Sequence, residues 1–157
     1  MRILIVASGN TKAASPFIIE QVESLKKIDI QIEYFLIKGK GWTGYLKSLS
    51  KLKKKIKNKK FNLIHAHYGL SGLLATLQRK IPVIITFHGS DININKNYKW
   101  SFIASRLSSK NIFVHKDQPK KLKVMLNEKD IIPCGINLKI FQPKDKVALR
   151  KKLNWDQ

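Results

Sequence analysis

The chain is short of cysteine, of acid and of long apolar runs, and each shortage excludes something. Cys134 is the one cysteine in 157 residues, so no internal disulfide framework holds the fold together. That fits a cytosolic chain, built without oxidative staples. No apolar stretch approaches the roughly 18–20 residues that a membrane span needs. Met1-Arg2-Ile3-Leu4-Ile5-Val6 is a short apolar run with no small-residue cleavage pattern, which reads as a first strand and not as a signal peptide. Acid is scarce: 10 Asp and Glu stand against 31 Lys and Arg, a net charge of +21. Such a chain is drawn to anions, whether nucleic acid, an acidic membrane face or phosphorylated ligands. Most of the positive residues are lysine, with Ile and Asn also abundant, and a compositionally biased genome produces that pattern on any solvated surface. Hydrophobic residues still make up 43%, enough for a real core, which excludes a disordered polycation. The length suits one domain.

What is there is an alternation of strands and helices. Residues 2–7 read as a strand, followed by the turn-forming Ser8-Gly9-Asn10-Thr11. Ser15 is placed as N-cap and Pro16 at the first helical position, with Phe17, Ile18, Val22 and Leu25 at helical spacing. Further strands are expected at 30–37, 61–66, 82–87, 111–115 and 130–133, and helices at 45–60, 70–78, 97–107, 118–126 and 145–153. Helical crossovers between successive strands require a parallel sheet. The expected fold is therefore α/β: a Rossmann-like, doubly wound, mainly parallel sheet of about six strands with helices on both faces. Residues 1–135 form the expected domain, and the chain changes character after Gly135, with the breaker Phe141-Gln142-Pro143.

In an open parallel sheet, ligands bind beyond the C-terminal ends of the strands. The small and polar residues gather there: Gly9 and Asn10 after the first strand, His65, His67, Tyr68 and Gly69 at the third, His88-Gly89-Ser90-Asp91 at the fourth, His115 and Lys116 at the fifth, and Cys134-Gly135 at the sixth. All four histidines lie on this edge, the candidate active site. Gly9 either brings backbone N–H groups to a phosphate or makes a plain tight turn. The G-x-G-x-x-G fingerprint is absent, which disfavours a dinucleotide dehydrogenase, and Glu33 is a weak ribose candidate. His65 and His67, two apart on a strand, share a face. With His88 they could hold zinc, but no Cys or carboxylate cluster completes such a set, and no metal is expected. The alternative has one histidine packed in the sheet and the other lining the cleft. His88 is the sharpest signal, a strand-end histidine beside a glycine, able to donate to a sugar hydroxyl or to shuttle a proton.

Lys47 to Lys60 carries eight lysines and no acid, opposite a leucine stripe. It reads as an ordinary surface helix or as one attracted to anionic lipid, with Trp42 and Tyr45 suited to an interface. Lysine without interleaved arginine and aromatics does not suit specific nucleic-acid recognition. Charge alone supports a rival function, a non-enzymatic basic module for anionic membrane or nucleic acid.

Taken together, Ile64-His65-Ala66-His67-Tyr68-Gly69, the 82–87 run into His88-Gly89-Ser90-Asp91, Ile132-Pro133-Cys134-Gly135-Ile136-Asn137 and Phe141-Gln142-Pro143 resemble the N-terminal half of a glycosyltransferase family 4 enzyme. Ser15-Pro16-Phe17 and Ala148-Leu149-Arg150 also fit the family pattern. The resemblance implies one Rossmann-like half of a two-domain GT-B enzyme of cell-surface polysaccharide or lipopolysaccharide biosynthesis. It implies retaining, metal-independent transfer from a nucleotide sugar to a glycan or lipid-linked acceptor, without a cofactor. His88 would be the catalytic contact to the donor sugar. Gly9, Asn10 and Gly89 would face the donor, and His67, Tyr68, Ser90 and Asp91 the acceptor. Residues 136–157 would be the interdomain linker and the lead-in to a donor-binding domain, leaving this stretch inactive alone. A cytoplasmic monomer, peripheral at the inner membrane face, completes the expectation.

Overall fold

The computed structural model describes residues 1–10, 13–39, 41–124 and 130–155. Five strands form one sheet: β1 (Arg2–Ser8), β2 (Gln31–Ile37), β3 (Leu63–His67), β4 (Val83–Phe87) and β5 (Lys110–Phe113). Their order is β2-β1-β3-β4-β5 and every pairing is parallel. The order reverses direction at β1, as in a doubly wound sheet. Helices α1 (Pro16–Lys26), α2 (Gly41–Asn58), α3 (Gly69–Thr76) and α5 (Asn95–Leu107) make the crossovers, with the short α4 (Ser90–Asn93) before α5, and α6 (Gln118–Lys121) and α7 (Lys146–Lys152) following β5. No helix among the described residues is long and apolar enough to cross a membrane.

The expected sixth strand at 130–133 is a single bridge, Ile131 to Phe113. One apolar pair beside an edge strand cannot sustain a ladder when the next residue, Ile132, is 51% exposed. The expected helix at 118–126 ends at Lys121 with Leu122 as its C-cap, and positions 125 and 126 lie outside the described residues. Residues Ser90–Asn93 form a helical turn between β4 and α5. Ser15 does occupy the N-cap of α1, but its side chain makes no capping hydrogen bond.

The pleat divides the core in two. Leu4 and Val6 of β1 point into a large cluster with Ile64, Ala66, Val83, Ile85, Phe87 and Phe113, packed under α2, α3 and α5. Ile3, Ile5 and Ala7 point the other way, against Ile18 and Val22 of α1. A fully buried Leu, Ile or Phe contributes about 1.5–3 kcal/mol, so the inner strands β1, β3 and β4, which hold most of them, anchor the fold. The outer strand β2 is half-buried, and Glu33 within it accepts hydrogen bonds from Lys55 at 3.0 Å and Lys59 at 3.0 and 3.1 Å. Those lysines hold the Glu33 carboxyl below the usual range. Glu33 is thereby engaged with α2 and not displayed toward a ribose.

Helix α3 lies close against α5. A Cβ on Gly69 would meet the Ser101 hydroxyl and come within 2.7 Å of the Ser101 Cα, which is backbone and cannot swing aside. Gly69→Ala should therefore destabilise the chain by about 1–3 kcal/mol through overpacking. Urea denaturation checks this, and an unchanged midpoint would show that the two helices part freely.

Candidate active site

The alternation that sends Ile64 and Ala66, and Val83, Ile85 and Phe87, into the large core leaves His65, His67, Thr86 and His88 on the α1 side. The strand register brings them together, since His67 sits opposite Thr86. His65 Nε2 lies 2.8 Å from the Thr86 hydroxyl, and His67 Nδ1 lies 3.1 Å from His88 Nε2. The rings of His65 and His67 are 4.5 Å apart, and those of His67 and His88 are stacked at 5.3 Å. His67 is wholly buried, His65 nearly so, and His88 half-buried at the end of the row.

Burial sets the charge here. Desolvation pushes the imidazole pKa of His65 down to about 4. It pushes His67 well below the ordinary value, helped by the neighbouring His65 and His88. His88 is also brought down to about 4, by desolvation first and His65 second. The row is neutral at pH 7. Among the described residues no group of three or more His, Cys, Asp or Glu could hold a metal ion.

His88 is framed by aromatic rings, Phe17 from the first turn of α1 at 4.6 Å and Tyr68 at 4.7 Å. Cys134 Sγ stands 3.8 Å from His88 Nδ1. Tyr68 has a φ of 70°, unusual for an aromatic residue and typically a cost of order 1–3 kcal/mol. It is held there by its N–H to Thr86 O at 3.0 Å and by its carbonyl, which accepts from Gly72 N at 2.9 Å. The strained backbone places the ring over His88.

Asp91 builds the turn beneath. It is 4% exposed, and its oxygens accept from the N–H groups of Gly89 at 2.9 Å, His88 at 3.1 Å and Gly69 at 3.0 Å. Burial raises its carboxyl pKa, and these backbone N–H groups pull it back. The same carboxylate thus ties the start of α3 to the loop after β4. Gly89 has φ 101°, a conformation that side chains rarely adopt, which explains glycine next to His88.

The expected site residues separate into groups. His67, His88, Tyr68, Gly89 and Asp91 come together. Asp91, expected toward the acceptor, is occupied with backbone. His67, also expected there, lies behind His88. Ser90 and Tyr68 reach the surface. Gly9 and Asn10 are on the same sheet edge, but the Gly9 N–H donates to Ile37 O at 2.8 Å, and the Asn10 side chain bonds the Gly39 backbone at 3.0 and 3.3 Å. A Cβ on Gly9 would come within 2.6 Å of the Leu36 Cβ, so close strand packing accounts for that glycine. His115 is exposed, its Nδ1 accepting from the Asp117 N–H at 3.3 Å, apart from the row. Phe17 and Thr86 were not singled out for the site from the sequence, while Cys134 was placed on its edge without a role. Phe17 and Cys134 border the same strand ends, and Thr86 is found by counting the pleat back from His88.

A parallel sheet with this polar edge is the fold of one Rossmann-like unit of GT-B enzymes. The profile of the family described as Glycosyltransferase Family 4 matches residues 5–140, and the chain belongs to that family. It is 33% identical over 104 residues to a protein of Bacillus subtilis (strain 168) named for teichuronic acid biosynthesis, glycosyltransferase TuaC, covering 59% of this chain and 27% of that one. It is 27% identical over 124 residues to the UDP-Gal:alpha-D-GlcNAc-diphosphoundecaprenol alpha-1,3-galactosyltransferase of Escherichia coli, covering 69% of this chain and 32% of that one. The chain thus spans about a third or less of the length of these curated relatives. Among solved structures, sucrose-phosphate synthase from Thermosynechococcus elongatus superposes with a TM-score of 0.68 at 17% identity, covering 99% of this chain and 52% of that one. UDP-GlcNAc 2-epimerase from Methanocaldococcus jannaschii gives a TM-score of 0.61 at 16% identity, with 85% and 45% covered.

Because the folded histidine pKa values lie below the ordinary 6.5, the stability they contribute is intact above about that pH. It is lost as pH falls through the folded values near 4, since the unfolded chain takes up protons first. The melting temperature should fall between pH 6.5 and 4, and each such histidine adds a slope of about 1.4 kcal/mol per pH unit while only its unfolded form is protonated. A His65→Asn variant should give a shallower profile. Identical profiles for the two proteins would remove His65 from the account.

Proposed function

We propose that this chain is the acceptor-side domain of a retaining, metal-independent glycosyltransferase. The enzyme moves a sugar from a nucleotide sugar to a glycan or lipid-linked acceptor of cell-surface polysaccharide or lipopolysaccharide biosynthesis. The observation that carries the reading is His88: a neutral, half-buried imidazole at the end of β4, backed by His67 and framed by Phe17 and Tyr68. In this position it meets a donor sugar as a hydrogen-bond partner without adding positive charge. Gly89 lets the backbone pass close to that sugar, and Gly9 and Asn10 border the donor side. Tyr68 and Ser90 are the groups at the surface for an acceptor. Residues 1–135 are the domain, and residues 136–157 lead to a donor-binding domain without which transfer does not occur. In the full-length transferase, His88→Ala should lower kcat by roughly 10²–10³-fold, as the loss of one preorganised transition-state contact does, with an unchanged circular dichroism spectrum. Full activity in that variant would exclude His88 from the chemistry.

The enzyme works as a cytoplasmic monomer at the inner face of the membrane. Helix α2 supports this: Ser48, Leu52 and Ile56 are buried, while Lys47, Lys54 and Lys57 are exposed on the opposite side. Lys55 and Lys59 are paired with Glu33 and add less attraction. Each free surface lysine contributes about 1 kcal/mol toward an anionic bilayer. Replacing Lys47, Lys54 and Lys57 by serine should weaken sedimentation with phosphatidylglycerol vesicles by at least 10-fold, about half of the additive expectation in free energy. Equal sedimentation of both proteins, or tight sequence-dependent binding to DNA, would contradict a membrane role for this helix.

A further inference from the structure

The buried His67 has an electrostatic consequence for its neighbour. Its Nδ1 is paired with His88 Nε2 at 3.1 Å, while its Nε2 is buried with no hydrogen-bond partner. Both rings are neutral at pH 7, because burial lowers both pKa values. In a contact between two neutral imidazoles, one nitrogen donates and the other accepts, so the pair has two arrangements. In the first, His88 Nε2–H donates to His67 Nδ1. His67 must then carry its hydrogen on Nε2, as a buried N–H with no acceptor. In the second, His67 Nδ1–H donates to His88 Nε2, and only a lone pair is left unpartnered on His67 Nε2. Orphaned buried N–H groups are rarer in folded proteins than under-used acceptors, which favours the second arrangement.

We infer that His67 is a positioning residue that locks His88 in the Nδ1–H tautomer, aiming a hydrogen-bond donor out of the row toward a substrate oxygen. This rests on the reading of His88 given under the proposed function and assigns it a direction: it donates and does not accept. Every group facing the pair is compatible. His65 is spent on Thr86 at 2.8 Å. Phe17 offers only a ring face or edge, and the Tyr68 ring lies tilted against His88 at 4.7 Å. Asp91 is taken by backbone N–H groups. Among the described residues, Cys134 Sγ is the polar atom against the outward nitrogen, at 3.8 Å from His88 Nδ1. Burial raises its thiol pKa, so it stays a thiol, a weak acceptor that a sugar hydroxyl or phosphate oxygen readily displaces. The outward donor is thereby kept available.

Long-range 1H–15N correlation spectra of the 157-residue chain with 15N-labelled histidine test this directly. At pH 7 the His88 signals should show a protonated Nδ1 and a bare Nε2. His67→Asn, whose side-chain amide can donate from near the former Nδ1, should keep that pattern. His67→Phe should lose it, with His88 passing to a form protonated mainly on Nε2. A protonated Nε2 on His88 in the unchanged chain would overturn the inference, and so would a Nδ1–H fraction that is the same in His67→Phe. The spectra need no turnover. A His88→Ala transferase with full activity would sink the functional reading of His88 and leave the tautomer assignment standing, so the two failures are distinguishable.

Discussion

The pleat of two neighbouring strands is the constraint on which the site depends. β3 and β4 are central, so both of their faces must be covered. One face is filled by Ile64, Ala66, Val83, Ile85 and Phe87 under α2, α3 and α5. The other carries His65, His67, Thr86 and, one step beyond the strand, His88. Because side chains alternate strictly along a strand, the hydrophobic face and the polar row are consequences of one register. A shift of one residue would bury the histidines in the large apolar core and turn the aliphatic side chains to the α1 side.

The polar row is affordable because its members satisfy one another. His65 uses Thr86, His67 uses His88, and only His67 Nε2 is left over among their ring nitrogens that face inward. Burial then keeps the rings neutral, which suits a contact with a sugar better than a fixed charge would. Asp91 performs the complementary task. By collecting three backbone N–H groups from the β3 and β4 turns it fixes the loop from which His88 projects. The site is a polar insertion into a sheet whose stability comes from the opposite face.

Much of this could be read in the chain itself, and the boundary of what could be read is physical. Apolar strand runs and lysine-flanked leucine stripes are local patterns, so the parallel α/β sheet followed from them. The strand at 130–133 did not form because its pairing rests on the single bridge of Ile131 with Phe113, and neighbour context decides that. The histidine edge was visible as spacing, and His65 and His67 were seen to share a face. That both are buried, neither of them lining a cleft, was not visible, since it depends on how the neighbouring elements cover that face. Asp91 looked like an acceptor contact because its partner Gly69 is 22 residues away in sequence. Gly9 could be read as a phosphate loop or a plain turn, because the approach of Leu36 on the neighbouring strand leaves no trace in the motif.

The central proposal, for a chain that belongs to Glycosyltransferase Family 4, is that the His88 imidazole receives the donor sugar. A crystal structure of the full-length transferase with an intact nucleotide sugar tests it most directly. The account predicts an oxygen of the donor within hydrogen-bond distance of His88 Nδ1, with Cys134 displaced from that nitrogen. A donor bound with its sugar away from His88, and Cys134 still against the ring, would contradict it.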